Sequence, residues 1–445
     1  MEEKYDLIIL GSGQGGNPLA TAFASKGKKV LLIEKDQVGG TCVNRGCTPT
    51  KTMVASAKAA HSAKICESLG IKASFQGVDI QKIIARKNEI VTSFRTSSQK
   101  RMEDMENLDL IFGSAHFVDP HTIAFENQTA TAPLIVINTG AGPMIPKMKG
   151  LDEISYLDST SIMEVQELPK HLIVIGSSYI ALEFGQMFHR FGSKVTILAR
   201  SERIITREDP DISDAMREVL EKEGLEFIFN AKVQEVKKGI EVVLEEGKSI
   251  TGSHLLIATG RTPNTAELAL EKAGVQTNEK GFISVNEKLQ TSCPHIYAIG
   301  DVKGGPAFTH ISYDDFRILQ DNLLEGKDRS LKGRMVPYTV FTDPQLGRVG
   351  ISEEEAKKAG IPHEALTMPM SYVARAIEIG ETEGLMKAII HKETRQILGC
   401  AILGVEGGEL MSMLQIAMMG NLNAKSLHEA IFAHPTLAEG FNNLF

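Results

Sequence analysis

The stretch LIILGSGQGGNPLATAFASKGKKVLLIE, residues 7–34, decides the fold of the N-terminal part of this chain. It reads as an apolar strand, a glycine-rich turn, a helix and a second apolar strand that ends in an acid. In such a unit Gly11 makes the tight turn, Gly13 lets the backbone approach a pyrophosphate, and Gly16 lets the helix pack closely. Glu34 stands 23 residues after Gly11, near the spacing of an acid that binds a ribose hydroxyl. The stretch therefore predicts a dinucleotide-binding domain, with phosphate at the helix N-terminus.

The same pattern recurs in HLIVIGSSYIALEFGQMFHRFGSKVTILAR, residues 171–200. Gly176 opens the turn, Ser178 takes the second glycine position and Ala181 takes the third. A serine is larger than glycine, but it is small enough for the turn to keep its role. A repeat of this size predicts two dinucleotide-binding domains in one chain.

The second copy ends differently from the first. Ala199 stands where the first copy has its acid, and Arg200 and Arg203 follow it. A missing acid with arginines nearby favours a ribose 2′-phosphate, and so NADP over NAD. The alternative is that the two arginines lie on a solvated face.

Each copy continues to an apolar strand that breaks at Thr-Gly. These strands are LIVINTGAGP, residues 134–143, and LLIATGRTPN, residues 255–264. A third strand, in TSCPHIYAIGDV, ends at Gly300 and Asp301. Ligands of such sheets gather at the carboxyl ends of the strands, so Asp301 is predicted to bind a cofactor hydroxyl.

Composition restricts the partners of the chain. It has 445 residues, 42% hydrophobic and 23% charged, with a net charge of -8 and a pI of about 5.9. This balance gives no electrostatic reason to expect nucleic acid or an anionic membrane as a partner. The N-terminal sequence lacks a secretory pattern and no apolar run would span a bilayer, so we expect a cytoplasmic protein. In that compartment close cysteine pairs are usually catalytic, redox-active or metal-binding.

Two of the five cysteines lie in GGTCVNRGCTPTK, residues 39–51. Residues five apart in a regular helix are about 8–9 Å apart, too far for a disulfide. Cys42 and Cys47 can therefore pair only if the backbone between them is irregular, and Gly46 can supply the irregularity. Thr48 and Pro49 read as an N-cap and first helical position, which predicts Cys47 at a helix N-terminus.

That position favours a thiolate, so a redox pair is the leading interpretation. A zinc site would need more ligands at suitable spacing, and only His61 is near. Two inert core cysteines would not explain the flanking glycines and proline. We predict no metal site.

The motifs together resemble the flavin-dependent pyridine nucleotide–disulfide oxidoreductases, which include glutathione reductase, dihydrolipoamide dehydrogenase and mercuric reductase. The resemblance rests on GSGQGG, the cysteine segment, both Thr-Gly strands, AIGD and the C-terminal HPTLAE. It implies an α/β fold with two Rossmann-like domains, for FAD and NAD(P)H, and a C-terminal α+β dimerisation domain. The predicted division is 1–145 and 266–331 for the FAD-binding domain, 146–265 for the NAD(P)H-binding domain and 332–445 for the dimerisation domain.

The resemblance also implies roles for residues. Cys47 would contact the flavin and Cys42 would exchange with the substrate. Lys51 would lie near the flavin with Glu183 as its ion-pair partner, and Tyr179 would gate the nicotinamide pocket. The predicted catalytic residues are Cys42, Cys47, His434, Glu439, Lys51 and Glu183. The predicted cofactor-binding residues are Gly11, Gly13, Gly16, Glu34, Gly40, Thr41, Lys51, Thr139, Gly140, Gly176, Tyr179, Arg200, Arg203, Gly260, Gly300 and Asp301.

In the family the histidine that matches His434 comes from the second subunit, and Glu439 would orient it. The resemblance therefore implies a homodimer. The Met-rich stretch ELMSMLQIAMM, residues 409–419, is predicted to be an interface or core helix, because its apolar positions have helical spacing.

Several segments look most like mercuric reductase, but two features depart from it. Mercuric reductases carry a C-terminal cysteine pair, whereas the last cysteine here is Cys400, and they typically have tyrosine at the position of His434. Dihydrolipoamide dehydrogenases normally have an acid at the position of Ala199. The sequence thus predicts an NADPH-dependent FAD disulfide reductase with an unknown thiol-reactive or small-molecule substrate. Mercuric ion reductase, dihydrolipoamide dehydrogenase and a flavoprotein redox sensor remain alternatives.

Overall fold

The structure of the protein is a computed structural model that describes residues 3–245 and 247–445. Its strands are β1 (Glu3–Lys4), β2 (Leu7–Leu10), β3 (Val30–Glu34), β4 (Leu108–Phe112), β5 (Ala115–Phe117), β6 (Thr122–Phe125), β7 (Gln128–Thr131), β8 (Ile135–Ile137), β9 (Ala141–Pro143), β10 (His171–Ile175), β11 (Lys194–Leu198), β12 (Glu226–Ile228), β13 (Val233–Lys237), β14 (Glu241–Leu244), β15 (Ser249–Thr251), β16 (His254–Ile257), β17 (Arg261–Pro263), β18 (Ile296–Ala298), β19 (Tyr338–Val340), β20 (Gln345–Gly350), β21 (His363–Pro369), β22 (Leu385–His391) and β23 (Ile397–Gly404).

Its helices are α1 (Gly16–Ala24), α2 (Gly40–Arg45), α3 (Cys47–Ile65), α4 (Ile80–Glu103), α5 (Tyr179–Phe191), α6 (Pro210–Glu223), α7 (Thr309–Leu324), α8 (Glu353–Lys358), α9 (Ala374–Glu378), α10 (Gly407–Met419), α11 (Ala424–His428) and α12 (Gly440–Leu444). Across residues 3–245 and 247–445, a helix with the length and apolarity to cross a membrane does not occur.

The chain divides into two compact units. The first comprises the residues up to Thr52, with Ile84–Met144 and Gly260–Arg334. Its centre is a five-stranded parallel sheet in the order β18-β8-β2-β3-β4. The carboxyl ends of β2, β8 and β18 are neighbours in this sheet, so the loops that follow them meet at one edge. This is the edge at which the sequence predicts a cofactor.

The core of the first unit explains the unbroken apolar run of β2. Successive side chains of a strand point to opposite faces of the sheet. Leu7 and Ile9 therefore pack with the buried residues of α1, whereas Ile8 and Leu10 pack with Phe117 and its buried neighbours. A parallel strand buried on both faces needs apolar residues at every position.

The second unit comprises Met53–Ile83, Ile145–Thr259 and Met335–Phe445. It contains a four-stranded parallel sheet in the order β12-β11-β10-β16, with α5 connecting β10 to β11. A separate five-stranded antiparallel sheet, β19-β20-β23-β22-β21, carries α10. The predicted α/β fold class is confirmed. The predicted division into domains remains a prediction.

One local expectation was wrong. Thr48 does not cap the helix that follows the cysteines, because α3 already begins at Cys47. Thr48 lies in the first turn instead, and its carbonyl accepts a hydrogen bond from the Thr52 hydroxyl at 2.8 Å. The break that the spacing requires lies at Gly46, between α2 and α3. Cys47 is at a helix N-terminus, as predicted.

Candidate active site

The cysteine segment consists of two short helical pieces that meet at Gly46. Cys42 lies on α2, and Cys47 is the first residue of α3. A side chain at Gly46 would approach the Thr41 carbonyl oxygen to 2.9 Å, so the junction requires glycine. Cys42 and Cys47 are not joined by a disulfide in this structure, and Cys47 is exposed while Cys42 is half-buried.

The two thiols share one electrostatic environment. The hydrogen bond to Cys47, followed by burial, raises the pKa of the Cys42 thiol, while Thr309 and the positive charge of Lys51 act in the opposite direction. The Thr309 hydroxyl oxygen lies 3.2 Å from the Cys47 sulfur. A pair in which one thiol resists ionisation and the other stands at a helix start is chemically asymmetric.

Thr309 was missed by the sequence analysis. It is the first residue of α7 and reaches the sulfur from a segment 262 positions further along the chain. Its sequence, FTHIS, gives no signal beyond a threonine at the start of a helix, where such residues normally serve as caps.

The glycine-rich turn adjoins the cysteine segment directly. The Gly39 amide donates to the Ser12 carbonyl at 3.0 Å, and the Gln14 side chain donates to the Gly39 carbonyl at 3.1 Å. A side chain at Gly40 would approach the Gly13 Cα to 2.9 Å. The turn that is predicted to hold a pyrophosphate and the helix that carries Cys42 are thus fixed to each other.

The three predicted turn glycines each lack room for a side chain. A Cβ at Gly16 would lie 2.3 Å from the Gly11 carbonyl oxygen, which is the close helix packing expected of the third glycine. Gly11 itself has a φ of 102°, a conformation that favours glycine. These glycines and the start of α1 form a cradle of backbone groups, which fits the pyrophosphate of FAD.

Glu34 lies at the end of β3, beside this turn. Its Oε2 accepts hydrogen bonds from the Ser12 amide at 2.8 Å and the Ser12 hydroxyl at 2.7 Å, and its Oε1 accepts from the Asp36 amide. The carboxylate is therefore held in a fixed position next to the turn. Its contact with a ribose hydroxyl remains a prediction.

Asp301 follows β18 in a short helical turn, Gly300–Lys303. Burial raises the pKa of this carboxyl, and the charges of Arg261 and Lys303 oppose the rise. The Arg261 Nε lies 3.5 Å from an Asp301 oxygen. The turn is anchored by the buried Asp315, which accepts the Gly300 amide at 2.9 Å.

Thr139 and Gly140 follow β8 in the same unit. The Thr139 hydroxyl donates to the Asn264 carbonyl at 2.9 Å, and the Asn264 side chain donates back to the Thr139 carbonyl at 2.8 Å. The Gly260 carbonyl accepts from the Met144 amide. The two Thr-Gly segments predicted from the repeat thus lead into connected loops.

In the second unit, Gly176 opens the turn before α5. Its φ is 124°, and a Cβ there would lie 2.2 Å from the Ala258 carbonyl oxygen, so the position requires glycine. Tyr179 is the first residue of α5. Glu183 is 3% exposed, and its Oε1 accepts the Phe341 amide at 2.8 Å.

The arginines after β11 differ in their surroundings. Arg200 is exposed. Arg203 is half-buried, with its Nε 3.7 Å from Asp214 and its NH1 3.6 Å from Glu202. Ala199 is fully buried at the end of the strand, where it leaves no carboxylate for a ribose.

His434 and Glu439 form a pair. The His434 Nδ1 lies 2.9 Å from one carboxylate oxygen of Glu439 and 3.0 Å from the other. The side chain of His434 is 67% exposed, so its second nitrogen is accessible. The pair belongs to the second unit, as Glu183 does, whereas the cysteines and Lys51 belong to the first. The predicted Lys51–Glu183 ion pair remains a prediction.

Family comparisons agree over almost the whole chain. The family described as "Pyridine nucleotide-disulphide oxidoreductase" matches residues 5–315, and its dimerisation domain matches residues 336–445. The dimerisation domain supports a homodimer. Every predicted site residue lies within one of the two matches.

Individual relatives are similar over almost all of this chain and over most of their own lengths. The chain is 38% identical to the probable pyridine nucleotide-disulfide oxidoreductase RclA of Escherichia coli K12, with 99% of each chain covered. It is 37% identical to a mercuric reductase of Staphylococcus aureus, over 98% of this chain and 81% of that one. It is also 37% identical to a dihydrolipoyl dehydrogenase of Thermus scotoductus, over 98% and 95%.

Solved structures give the same result. The HOCl-induced flavoprotein disulfide reductase RclA of Escherichia coli matches with a TM-score of 0.91 at 38% identity, covering 99% of both chains. Its Cu(II) complex matches with the same TM-score and identity. The family uses FAD and a pyridine nucleotide, and the neighbouring thiols of Cys42 and Cys47 fit its redox-active disulfide. The chain therefore belongs to the FAD-dependent pyridine nucleotide–disulfide oxidoreductases.

Proposed function

We propose that the protein is an NADPH-dependent reductase in which Cys47 faces the flavin and Cys42 exchanges with the substrate. The observation that carries this proposal is the asymmetry of the thiol pair: Cys47 begins α3 beside the Thr309 hydroxyl, while Cys42 is half-buried with a raised thiol pKa. A helix N-terminus favours negative charge, so Cys47 is the thiol suited to remain as a thiolate.

When bound, FAD would supply the two-electron chemistry that connects the nicotinamide with the Cys42–Cys47 disulfide. The glycine cradle and Glu34 would hold its adenosine half, and Asp301 its ribityl half. Lys51 would stand near the ring. Reduction breaks the Cys42–Cys47 bond, with two electrons and two protons giving the dithiol. A disulfide substrate then exchanges with Cys42 and leaves as two thiols, which restores the Cys42–Cys47 bond.

The His434–Glu439 pair would supply the protons of this exchange. Glu439 holds the Nδ1 of His434, which leaves the other ring nitrogen to give or take a proton. In this proposal the pair acts on the thiols of the other subunit.

Anaerobic titration with NADPH tests the thiol roles. A thiolate next to oxidised flavin gives a long-wavelength absorption band. We expect Cys47→Ser to lose this band and Cys42→Ser to keep it while losing disulfide turnover. Equal bands in both variants would contradict the assignment, and a protein unable to bind FAD would contradict the function as a whole.

We propose NADPH over NADH as the donor. The buried Ala199 offers no acid to a ribose 2′-hydroxyl, while Arg200 is exposed and Arg203 is only loosely paired. Both would attract a 2′-phosphate. A ratio of kcat/KM for NADPH over NADH above about ten supports the proposal, as one charge-assisted contact contributes about 1.5–3 kcal/mol. A ratio below one would contradict the preference for NADPH.

Metal-ion reduction is a second candidate function. A Cu(II) complex of the similar RclA protein is known, and mercuric reductases are among the relatives. Adjacent thiols such as Cys42 and Cys47 are soft ligands suited to such ions. NADPH oxidation should be followed with disulfides, lipoamide, quinones, Cu²⁺ and Hg²⁺ as acceptors. The acceptor with the highest kcat/KM identifies the branch of the family to which the protein belongs, and no turnover with any acceptor favours a redox sensor.

We also propose a cytoplasmic location, where close cysteine pairs are commonly redox-active.

A further inference from the structure

Asn138 occupies the point where two cofactor loops meet in the first unit. It follows β8, which lies between β2 and β18 in the parallel sheet. Its backbone amide donates to the Leu10 carbonyl at 2.7 Å, at the end of β2. The side chain is 6% exposed, so its polar atoms need partners within the protein.

The carboxamide finds one partner in each loop. Its Oδ1 accepts the Gly16 amide at 2.8 Å, at the first residue of α1. Its Nδ2 donates to the Ile299 carbonyl at 3.0 Å, directly before the Gly300–Lys303 turn. In the reverse orientation the Asn138 NH2 group would face the Gly16 N–H, and the Asn138 oxygen would face the Ile299 carbonyl oxygen. These two partners therefore fix the orientation of the amide.

Glycines enclose this carboxamide on both sides. A Cβ at Gly13 would lie 2.8 Å from the Oδ1, and one at Gly300 would lie 2.9 Å from the Nδ2. Glycine at these two positions therefore leaves room for the Asn138 carboxamide as well as for a pyrophosphate. The short primary amide of asparagine provides both the acceptor and the donor that this space requires.

We propose that Asn138 is a positioning residue for FAD, which sets the start of α1 at a fixed distance from the Asp301 turn. The two loops would hold successive parts of one extended cofactor, so a change in their separation weakens binding even when each loop keeps its shape. The inference rests on the proposed assignment of Gly11–Gly16 and Asp301 to the flavin site. It extends that assignment to a residue that need not touch the cofactor.

The test measures the FAD dissociation constant of the full-length protein by flavin fluorescence. We expect Asn138→Leu, which keeps the number and branching of the side-chain heavy atoms and loses both side-chain hydrogen bonds, to weaken binding at least tenfold. Asn322 provides the matched control, because its carboxamide also joins two segments: it donates to the Arg329 carbonyl at 2.8 Å and accepts the Arg329 amide at 2.7 Å. Asn322→Leu should lower the thermal stability of the apoprotein without weakening FAD binding.

Asn138→Asp carries the test if the leucine variant does not fold. A carboxylate keeps the acceptor for Gly16 but opposes the Ile299 carbonyl and the pyrophosphate charge. Protonation restores a donor and removes the charge. FAD binding by this variant should therefore strengthen at least fivefold from pH 8 to pH 5.5, relative to the native protein. The native protein measured over the same range corrects for the nearby carboxyls of Glu34, Asp301 and Asp315.

The outcomes separate the inference from the proposed function. If the native protein binds FAD and both Asn138 variants bind it within twofold at every pH, the inference is wrong and the flavin site stands. Equal weakening by Asn322→Leu would reduce Asn138 to a general stability effect and would also overturn the inference. If the native protein binds no FAD, both fail.

Discussion

At the scale of single residues, Thr309 is one of the groups that influence how readily the thiol pair ionises. Its hydroxyl lies 3.2 Å from the Cys47 sulfur and acts to lower the pKa of Cys42. A hydroxyl that donates to a thiolate stabilises the charged form, so its loss leaves the pair harder to ionise. Because the thiols titrate together, the measurable quantity is the apparent pKa of the pair.

Thr309→Val removes the hydroxyl and keeps the shape. We expect the pH of half-maximal alkylation of the reduced protein by iodoacetamide to rise by about 0.7 unit, since a hydrogen bond contributes about 1 kcal/mol. Mass spectrometry of the peptide with Cys42 and Cys47 reports the modification. Thr309→Ser keeps the hydroxyl and should retain the native profile. A valine variant that overlays the native curve would show that the contact has no influence on ionisation.

At the scale of secondary structure elements, helix α5 is fixed to the loop between β19 and β20 by one polar face. Gln186 and the Asp343 backbone exchange two hydrogen bonds, at 2.8 Å and 2.7 Å. Arg190 binds the Asp343 carboxylate at 2.7 Å and the Glu223 carboxylate at 2.6 Å while only 4% exposed. Since Glu183 lies on the same helix and binds the same loop, this contact also determines where Glu183 stands.

Arg190→Met should destabilise the protein by about 3–5 kcal/mol at pH 7, because it removes the buried guanidinium that binds two largely buried carboxylates. Burial alone would raise the pKa of Asp343, but Arg190 holds it below the usual value. The native contribution is therefore present above pH 4 and is lost only as the pH falls through the lowered pKa. In the Arg190→Met variant the Asp343 carboxyl becomes protonated at a higher pH than in the native protein. The difference in free energy of unfolding between the native protein and the variant should therefore become smaller towards pH 3. Urea unfolding titrations of both proteins at pH 7 and pH 3 measure this difference.

Arg375→Met is the control, because its ion pair with Glu378 is about half exposed and contributes at most about 1 kcal/mol. A loss for Arg190→Met that is no larger than this, or that does not depend on pH, would contradict the role of the buried pair.

The elements also show how far sequence reasoning reaches. The strand-turn-helix-strand units were predictable, because apolar runs and the glycines of residues 11–16 follow from local rules of the chain. So was the break at Gly46, since the spacing of Cys42 and Cys47 required it. Asn138 was not singled out, although a polar residue at the end of an apolar strand was visible. Its partners lie 122 and 161 positions away, and no local pattern specifies them.

At the scale of the whole molecule, the proposed catalytic site requires a homodimer, because His434 is proposed to act on the thiols of the other subunit. Helix α10 was predicted to be an interface or core helix. In the structure one face of this helix is buried and the opposite face is exposed. Leu410, Met411, Leu414 and Ala417 are buried against the antiparallel sheet. Met413, Ile416 and Met419 are 47%, 69% and 63% exposed, which is unusual for large apolar side chains on one helix. Together with the matching dimerisation domain, this face fits a subunit interface.

Ile416→Glu places a charge in the centre of that face, where desolvation would oppose association. We expect light scattering to show monomers at concentrations where the native protein is a dimer. Because His434 is proposed to act on the thiols of the other subunit, disulfide turnover should fall at least a hundredfold, the scale of general acid–base catalysis. NADPH-dependent reduction of ferricyanide, which needs only the flavin, should persist. Glu429→Gln, a change at an exposed residue directly after α11, should leave both activities and the dimer intact. A monomeric variant with full disulfide turnover would show that each subunit completes its own site.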